Sequence, residues 1–200
     1  MTSEKPEDLH DWVGAMVTVT GDEFDIARPS HEDVDIDVVA HALALQCRYI
    51  GHVPFPYSVA EHSVRVSRWV EEQGGSLEDQ QKGLWHDGAE AFCGDMIRPM
   101  KRMKPLGPAY LDVEEQVAWA VSDVVGLDLV ELPQIVQDGD KAMFEWETEF
   151  IRTGRLRGWG WYFAREAFLR RHELLFNETI SRFWQADGYP NAPVSPPVGQ

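Results

Sequence analysis

Residues 83–95 read Gly-Leu-Trp-His-Asp-Gly-Ala-Glu-Ala-Phe-Cys-Gly-Asp, and the polar side chains set in this apolar stretch decide how the whole chain is read. Ser76 upstream has the character of an N-cap, followed by the acidic first-turn residues Glu78 and Asp79. The helix it opens is expected to run to about Cys93, with Gly94 as a left-handed cap. On such a helix Glu90 lies one turn beyond both His86 and Asp87, so three polar side chains share a face. Leu84, Trp85, Ala91 and Phe92 turn the same helix inward on more than one side. A buried cluster of acids and imidazoles is costly, on the order of several kcal/mol, unless something compensates it. A divalent cation is the obvious compensation.

His-Asp-x-x-Glu alone is a weak signal, because three fixed residues recur by chance. A single histidine on an apolar face is more often a hydrogen-bonded core residue than a ligand. Two neighbours strengthen the case. Ser58-Val59-Ala60-Glu61 reads as a capping box opening a helix that ends at Gly74-Gly75. His62 sits in its first turn, on the stripe Val59, His62, Val66, Trp69. Asp140 sits on the stripe Val136, Asp140, Met143, Ile151 of a later helix that starts near Pro133 and reaches about Thr153. Each polar residue stands where the period demands an apolar one. The plain alternative for Asp140 is a salt bridge to an arginine or lysine. Taken together, two imidazoles and two carboxylates from three inward faces make a mixed nitrogen and oxygen site that suits Mn, Fe, Co, Ni, Zn or Mg and leaves positions for water and substrate. Glu90, not needed as a ligand, is placed for general acid or base work.

The rest of the 200-residue chain reads as a single mainly helical domain over 1–187 and a tail, 188–200, whose four prolines predict irregular structure. Val17, Val19, Phe24 and Ile26 around Gly21-Asp22 predict a small N-terminal hairpin. Helices are expected over 34–45, from Leu111 to Val125 with Gly126 past the end, and from Trp161 to Trp184. The two prolines of Gly51-His52-Val53-Pro54-Phe55-Pro56-Tyr57 bar a helix there.

No apolar run approaches a membrane span, and the polar, acidic start lacks the pattern of a signal peptide, so a cytoplasmic protein is expected. Cys47 and Cys93 fall in apolar, helical-looking segments and are expected to be free thiols. A net charge of −16 argues against nucleic acid as a partner and requires a local basic pocket for any anionic ligand. Arg98, Lys101, Arg102 and Lys104 form such a basic run, although a solvated loop explains Arg102 and Lys104 as well. His41 reads as structural, and His10, His31, His52 and His172 as surface or loop residues. The eight tryptophans fit core and subunit packing, which points to a homo-oligomer.

The order His62, His86-Asp87, Asp140 resembles the HD-domain metal-dependent phosphohydrolases. The longer strings Arg48-Tyr49, residues 57–63 (Tyr-Ser-Val-Ala-Glu-His-Ser), residues 86–95 and Pro99-Met100-Lys101 are similar to bacterial 5′-deoxynucleotidases and to phage deoxynucleoside triphosphate hydrolases. The resemblance covers roughly Val34 to Glu147 and implies an all-α HD bundle. It implies that His62, His86, Asp87 and Asp140 bind a divalent metal, while Glu90 serves the attacking water. Arg48 would hold phosphate, Tyr49 would stack on or near the base, Asp95 would contact a 2′-deoxyribose and Lys101 would face the phosphates. Relatives often carry a lysine three residues before the last metal aspartate, where this chain has Gln137.

The activity expected from the resemblance is water attack on the α-phosphate of a deoxynucleotide. A dATP-type triphosphohydrolase is favoured, with a monophosphate 5′-nucleotidase as the alternative. Guanosine tetraphosphate hydrolysis fits less well, because those enzymes carry an acidic residue where this chain has Ala91. Two rivals from other classes are a non-catalytic nucleotide sensor and an acidic helical scaffold whose His and Asp residues are paired in the core.

Overall fold

A computed structural model describes residues 15–183. The tail at 188–200, His10 and Trp184 therefore lie outside the described residues. The protein is mostly helical, with a small antiparallel hairpin near its start: β1 (Met16–Val17) pairs with β2 (Glu23–Phe24). The helices are α1 (Ile36–Leu45), α2 (Val59–Glu72), α3 (Leu77–Trp85), α4 (Glu90–Cys93), α5 (Arg98–Lys101), α6 (Leu106–Val125), α7 (Gln134–Arg152) and α8 (Trp161–Phe176). A short 3-10 turn at His31–Asp33 precedes α1, and a turn at Arg48–Gly51, with Tyr49 and Ile50 left-handed, links α1 to α2.

Helix α2 is the axle of the fold and packs against α1, α3, α7 and α8. Its first six residues, Val59 to Val64, are all buried, so whatever stands there faces the interior. Ser58 caps it as expected, accepting the Glu61 N–H at 3.1 Å. The capping box is not reciprocal, however. The fully buried Glu61 carboxylate turns away to accept the Trp159 N–H at 2.5 Å and the Arg65 guanidinium at 2.8 Å. A second partner deep in the fold outcompetes a local backbone donor, and it moors the chain ahead of α8. The reciprocal box forms instead at α3, between Ser76 and Asp79.

The main core gathers Phe24, Leu43, Val64, Leu84, Trp85, Val121, Phe168 and Leu169, and a smaller cluster of Val66, Val70 and Val136 lies between α2 and α7. At Gly139 a Cβ would come within 3.0 Å of the Trp69 ring and 3.3 Å of Val66, so glycine lets α7 close on α2 and carries Asp140 toward His62.

Three expected helices differ in extent. α6 begins at Leu106 rather than Leu111, and Gly126 caps it in the left-handed conformation. α8 stops at Phe176 because Asn177 takes a left-handed conformation, φ 54° and ψ 43°, and residues 177–183 are not helical. The helix through 77–93 is broken, with consequences for the site. Cys47 lies in a bridge to Ser58 rather than in a helix, and both cysteines are free. His172 is fully buried, accepting the Trp85 indole N–H at Nδ1 and meeting Glu178 at Nε2, so it belongs to the core and not to the surface.

Candidate metal centre

Helix α3 ends at Trp85, and His86 to Ala89 form a tight turn before the short α4. The bonds there run over three residues, from the Gly88 N–H to the Trp85 carbonyl and from the Glu90 N–H to the Asp87 carbonyl. A Cβ on Gly88 would meet the Trp85 ring and carbonyl at 3.0 Å and Val121 at 3.3 Å, so only glycine lets the turn lie this close to α6. Because the turn is not α-helical, His86, Asp87 and Glu90 do not form the simple one-face row expected. They still converge, from a turn rather than a helix face.

His62 from α2 and His86 and Asp87 from the turn can bring their ligand atoms within 4.8 Å of one another. The Nδ1 atoms of both rings are already engaged. His62 Nδ1 lies 2.6 Å from the Glu147 carboxylate, and His86 Nδ1 lies 3.0 Å from the Gly83 carbonyl. An Nδ1–H donated to those oxygens leaves each Nε2 as a lone pair. Both Nε2 atoms are buried and make no hydrogen bond. They face oxygen instead: His86 Nε2 is 3.2 Å from Asp87 Oδ2, and His62 Nε2 is 3.7 Å from that same oxygen and 3.3 Å from Asp140 Oδ1. Acceptors facing acceptors require a positive charge between them. Without a metal, a proton can serve: burial and Arg48 push the His62 imidazole down, but Glu147 and Asp140 outweigh them and hold it up, to about 9. Burial raises Asp87, yet His86, His62 and Arg48 hold it far below the usual carboxylate range.

The donor set therefore fits a divalent ion at His62, His86 and Asp87. Asp140 stands at the edge of the group. One of its oxygens faces His62, and the other accepts the Arg98 guanidinium at 2.7 Å, so the ligand-like placement and the salt bridge occur together.

Asp87 and Asp140 of this group open onto a cavity of about 530 Å³, while His62 and His86 lie behind them and do not line it. Its wall also carries the other residues singled out in the sequence as catalytic or substrate-binding: Arg48, Tyr49, Glu90, Asp95 and Lys101. Arg48 lies between Asp87 and Glu147 at 3.4 and 3.3 Å. Tyr49 adopts a left-handed φ of 60°, and its hydroxyl donates to Glu147 at 2.5 Å. Lys101 Nζ is 2.8 Å from Glu114 and 3.4 Å from Glu90. Burial first, and then the negative charges of Asp87 and Asp95, raise Glu90 well above the usual carboxylate range against the pull of Lys101. Burial also raises Asp95. Gln137 is exposed, bonded to the Leu132 carbonyl, and Arg102 and Lys104 are exposed and do not line the cavity.

Glu147 is the site residue that sequence reasoning missed. Wholly buried, it accepts from Tyr49, Tyr57 and His62 and pairs with Arg48. Burial alone would raise it; His62 and Arg48 bring it down to about 2. A carboxylate fixing the Nδ1–H of a ligating histidine sets its tautomer and aims Nε2. The signal was present: Glu147 is four residues after Met143, on the same inward stripe of α7 as Asp140.

No protein-family model matches the chain. It is similar to two curated relatives. It is 33% identical over 110 residues to the uncharacterized protein YfdR of Escherichia coli, covering 55% of this chain and 57% of that protein. It is 31% identical over 128 residues to an uncharacterized protein of Rhodobacter capsulatus, covering 62% of this chain and 64% of that one. The match thus spans less than two thirds of either relative's length, and neither name states an activity.

Proposed function

We propose that the chain is a divalent-metal-dependent phosphohydrolase of the HD type that acts on 2′-deoxynucleotides, with a deoxynucleoside triphosphate as the favoured substrate. The observation that carries this reading is the group beside the cavity, where two buried, unbonded imidazole Nε2 atoms converge on Asp87, and Asp87 and Glu90 line the cavity itself.

His62, His86 and Asp87, with Asp140, would hold the ion. When bound there, a divalent ion supplies Lewis-acid polarisation of a phosphoryl oxygen and of water. The chain's own groups do the rest. Arg48 and Lys101, each held beside carboxylates at the wall, offer a planar fork and a point charge to the α-phosphate. Glu90, whose burial raises its affinity for a proton, takes one from the attacking water. Water adds to the α-phosphorus, the bond from phosphorus to O5′ breaks, and a proton passes to O5′ of the leaving deoxynucleoside. A triphosphate substrate thus yields deoxynucleoside and inorganic triphosphate, and a monophosphate yields deoxynucleoside and phosphate. Tyr49 and Asp95 line the same cavity and would face base and sugar. The cavity volume suits a nucleotide.

One observation favours the shorter substrate. Gln137, exposed and bonded to Leu132, brings no charge to the cavity where a polyphosphate grip is expected. Product analysis separates the two. With manganese, cobalt or magnesium, dATP is expected to release triphosphate, and Glu90→Gln to slow that release by roughly 10²–10⁴-fold while metal binding persists. Phosphate from dAMP with no triphosphate from any deoxynucleoside triphosphate would make the enzyme a 5′-nucleotidase. Turnover unchanged in Glu90→Gln would remove the mechanism.

A further inference from the structure

Arg48, Arg98, Lys101 and Arg152 all line the cavity, but they are not equally bound. Arg48 and Lys101 each sit between two carboxylates, Asp87 with Glu147 and Glu90 with Glu114. Arg152 stands twelve residues beyond Asp140 on α7, about 18 Å along the axis. Arg98 is different. It reaches from the start of α5 to one carboxylate, Asp140, at 2.7 Å; its side chain is 44% exposed, and its guanidinium rests 4.3 Å from the centre of the Phe144 ring. Stacking on an aromatic face keeps the fork extended with its N–H edges free to bond.

The partner of Arg98 is also the carboxylate that reaches the metal group. Asp140 Oδ1 lies 3.3 Å from His62 Nε2, while Oδ2 holds the guanidinium. A cation at His62, His86 and Asp87 draws on the same carboxylate as Arg98 does. In a chain of net charge −16, a phosphate beyond the one that Arg48 and Lys101 would hold needs a further cation, and Arg98 is opposed by a single carboxylate.

We propose that Arg98 determines specificity for a phosphate beyond the one at the reacting centre, because occupation of the metal group weakens its hold on Asp140 and turns the guanidinium to the next phosphate of a polyphosphate chain. This rests on the phosphohydrolase reading for the position of the reacting phosphate and adds the residue that selects the chain length. Arg98 takes up the task that Gln137 leaves undone.

Calorimetric titration of the full chain, with manganese in excess over the anion, tests this without any turnover. Arg98→Ala is expected to weaken inorganic tripolyphosphate binding by roughly 10–100-fold, the size of a lost charge-assisted contact, and orthophosphate binding by less than about twofold. Arg98→Lys should recover part of the loss, and manganese should bind Arg98→Ala at least as tightly as the wild type. Thermal melts establish that both variants are folded. Equal losses for both anions, or an unchanged tripolyphosphate affinity, would overturn the proposal. So would a tenfold fall in manganese affinity, which would make Arg98 a support for Asp140 instead. Absence of deoxynucleotide hydrolysis by the wild type would sink the activity reading, while these titrations would still decide the role of Arg98. No manganese binding at all would sink both.

Discussion

Two of the buried clusters of charged residues among the described residues are built on opposite plans. Between α1 and α8, the Asp37 carboxylate takes the Arg165 guanidinium at 2.5 and 2.7 Å and the Phe183 N–H at 2.8 Å, while Arg165 also reaches Glu166 at 2.9 Å. Both Asp37 and Arg165 are at most 1% exposed. Donors meet acceptors, and charge meets opposite charge. Beside the cavity, by contrast, His62 Nε2 and His86 Nε2 are buried without a hydrogen bond and face Asp87 Oδ2, which has only Arg48 as a donor at 3.4 Å, and Glu90 Oε2 is also buried without a bond. A closed network ties helices together. An open one, in which unbonded imidazole nitrogens face carboxylates, is a place for a cation, and the fold tolerates it because Glu147 and the Gly83 carbonyl anchor the far side of each ring.

The sharpest way to break this contrast is to open the closed cluster. Asp37→Ala leaves the Arg165 charge buried without its main partner and is expected to cost roughly 3–5 kcal/mol in urea unfolding. The folded fraction should still bind manganese. A loss under about 1 kcal/mol would mean that this pair does not hold α8 to α1.

A smaller effect, with a pH signature, is expected at the anchor of the open cluster. The Glu147 carboxyl falls from its ordinary value of 4.5 to about 2 on folding. A depressed acid stabilises the fold fully above its unfolded value, and that contribution is lost as the pH falls through its folded value. Wild type and Glu147→Gln should therefore differ by on the order of 3 kcal/mol near neutral pH, with the gap closing between pH 4.5 and 2. The same variant should bind manganese roughly 10–100-fold more weakly. A stability gap independent of pH over that window would contradict the role given to Glu147.

The two clusters also differ in how far the sequence betrays them. His62 and Asp140 announced themselves as polar residues on apolar stripes, because helical period survives in α2 and α7. Glu147 obeys the same rule two turns further on, with no motif around it to mark it. The break at His86 left almost no trace, since residues 77–93 keep an apolar period throughout and only Gly88 hints that α6 comes too close for a Cβ. Asp37 and Arg165 are 128 residues apart, and nothing local in either segment says that they meet. The valine stripe of α6 and its Gly126 cap were legible, whereas the early end of α8 hung on Asn177 taking a left-handed conformation. The short hairpin came through as expected, because it depends on neighbouring residues alone, and both cysteines are free. Among the described residues, no helix is long and apolar enough to cross a membrane.

The central claim is that the open cluster exists to hold a divalent ion. Its most direct test is the thermal and urea stability of the wild type and of His86→Ala, each with and without manganese. At a hundredfold excess of ion over its dissociation constant, the wild type should gain about 2.7 kcal/mol, and His86→Ala should gain almost nothing while folding without metal as the wild type does. A wild type that neither binds manganese, cobalt, zinc, nickel, iron or magnesium nor gains stability from any of them would show that His62, His86 and Asp87 are core residues sharing a proton, and the account of the site would fall.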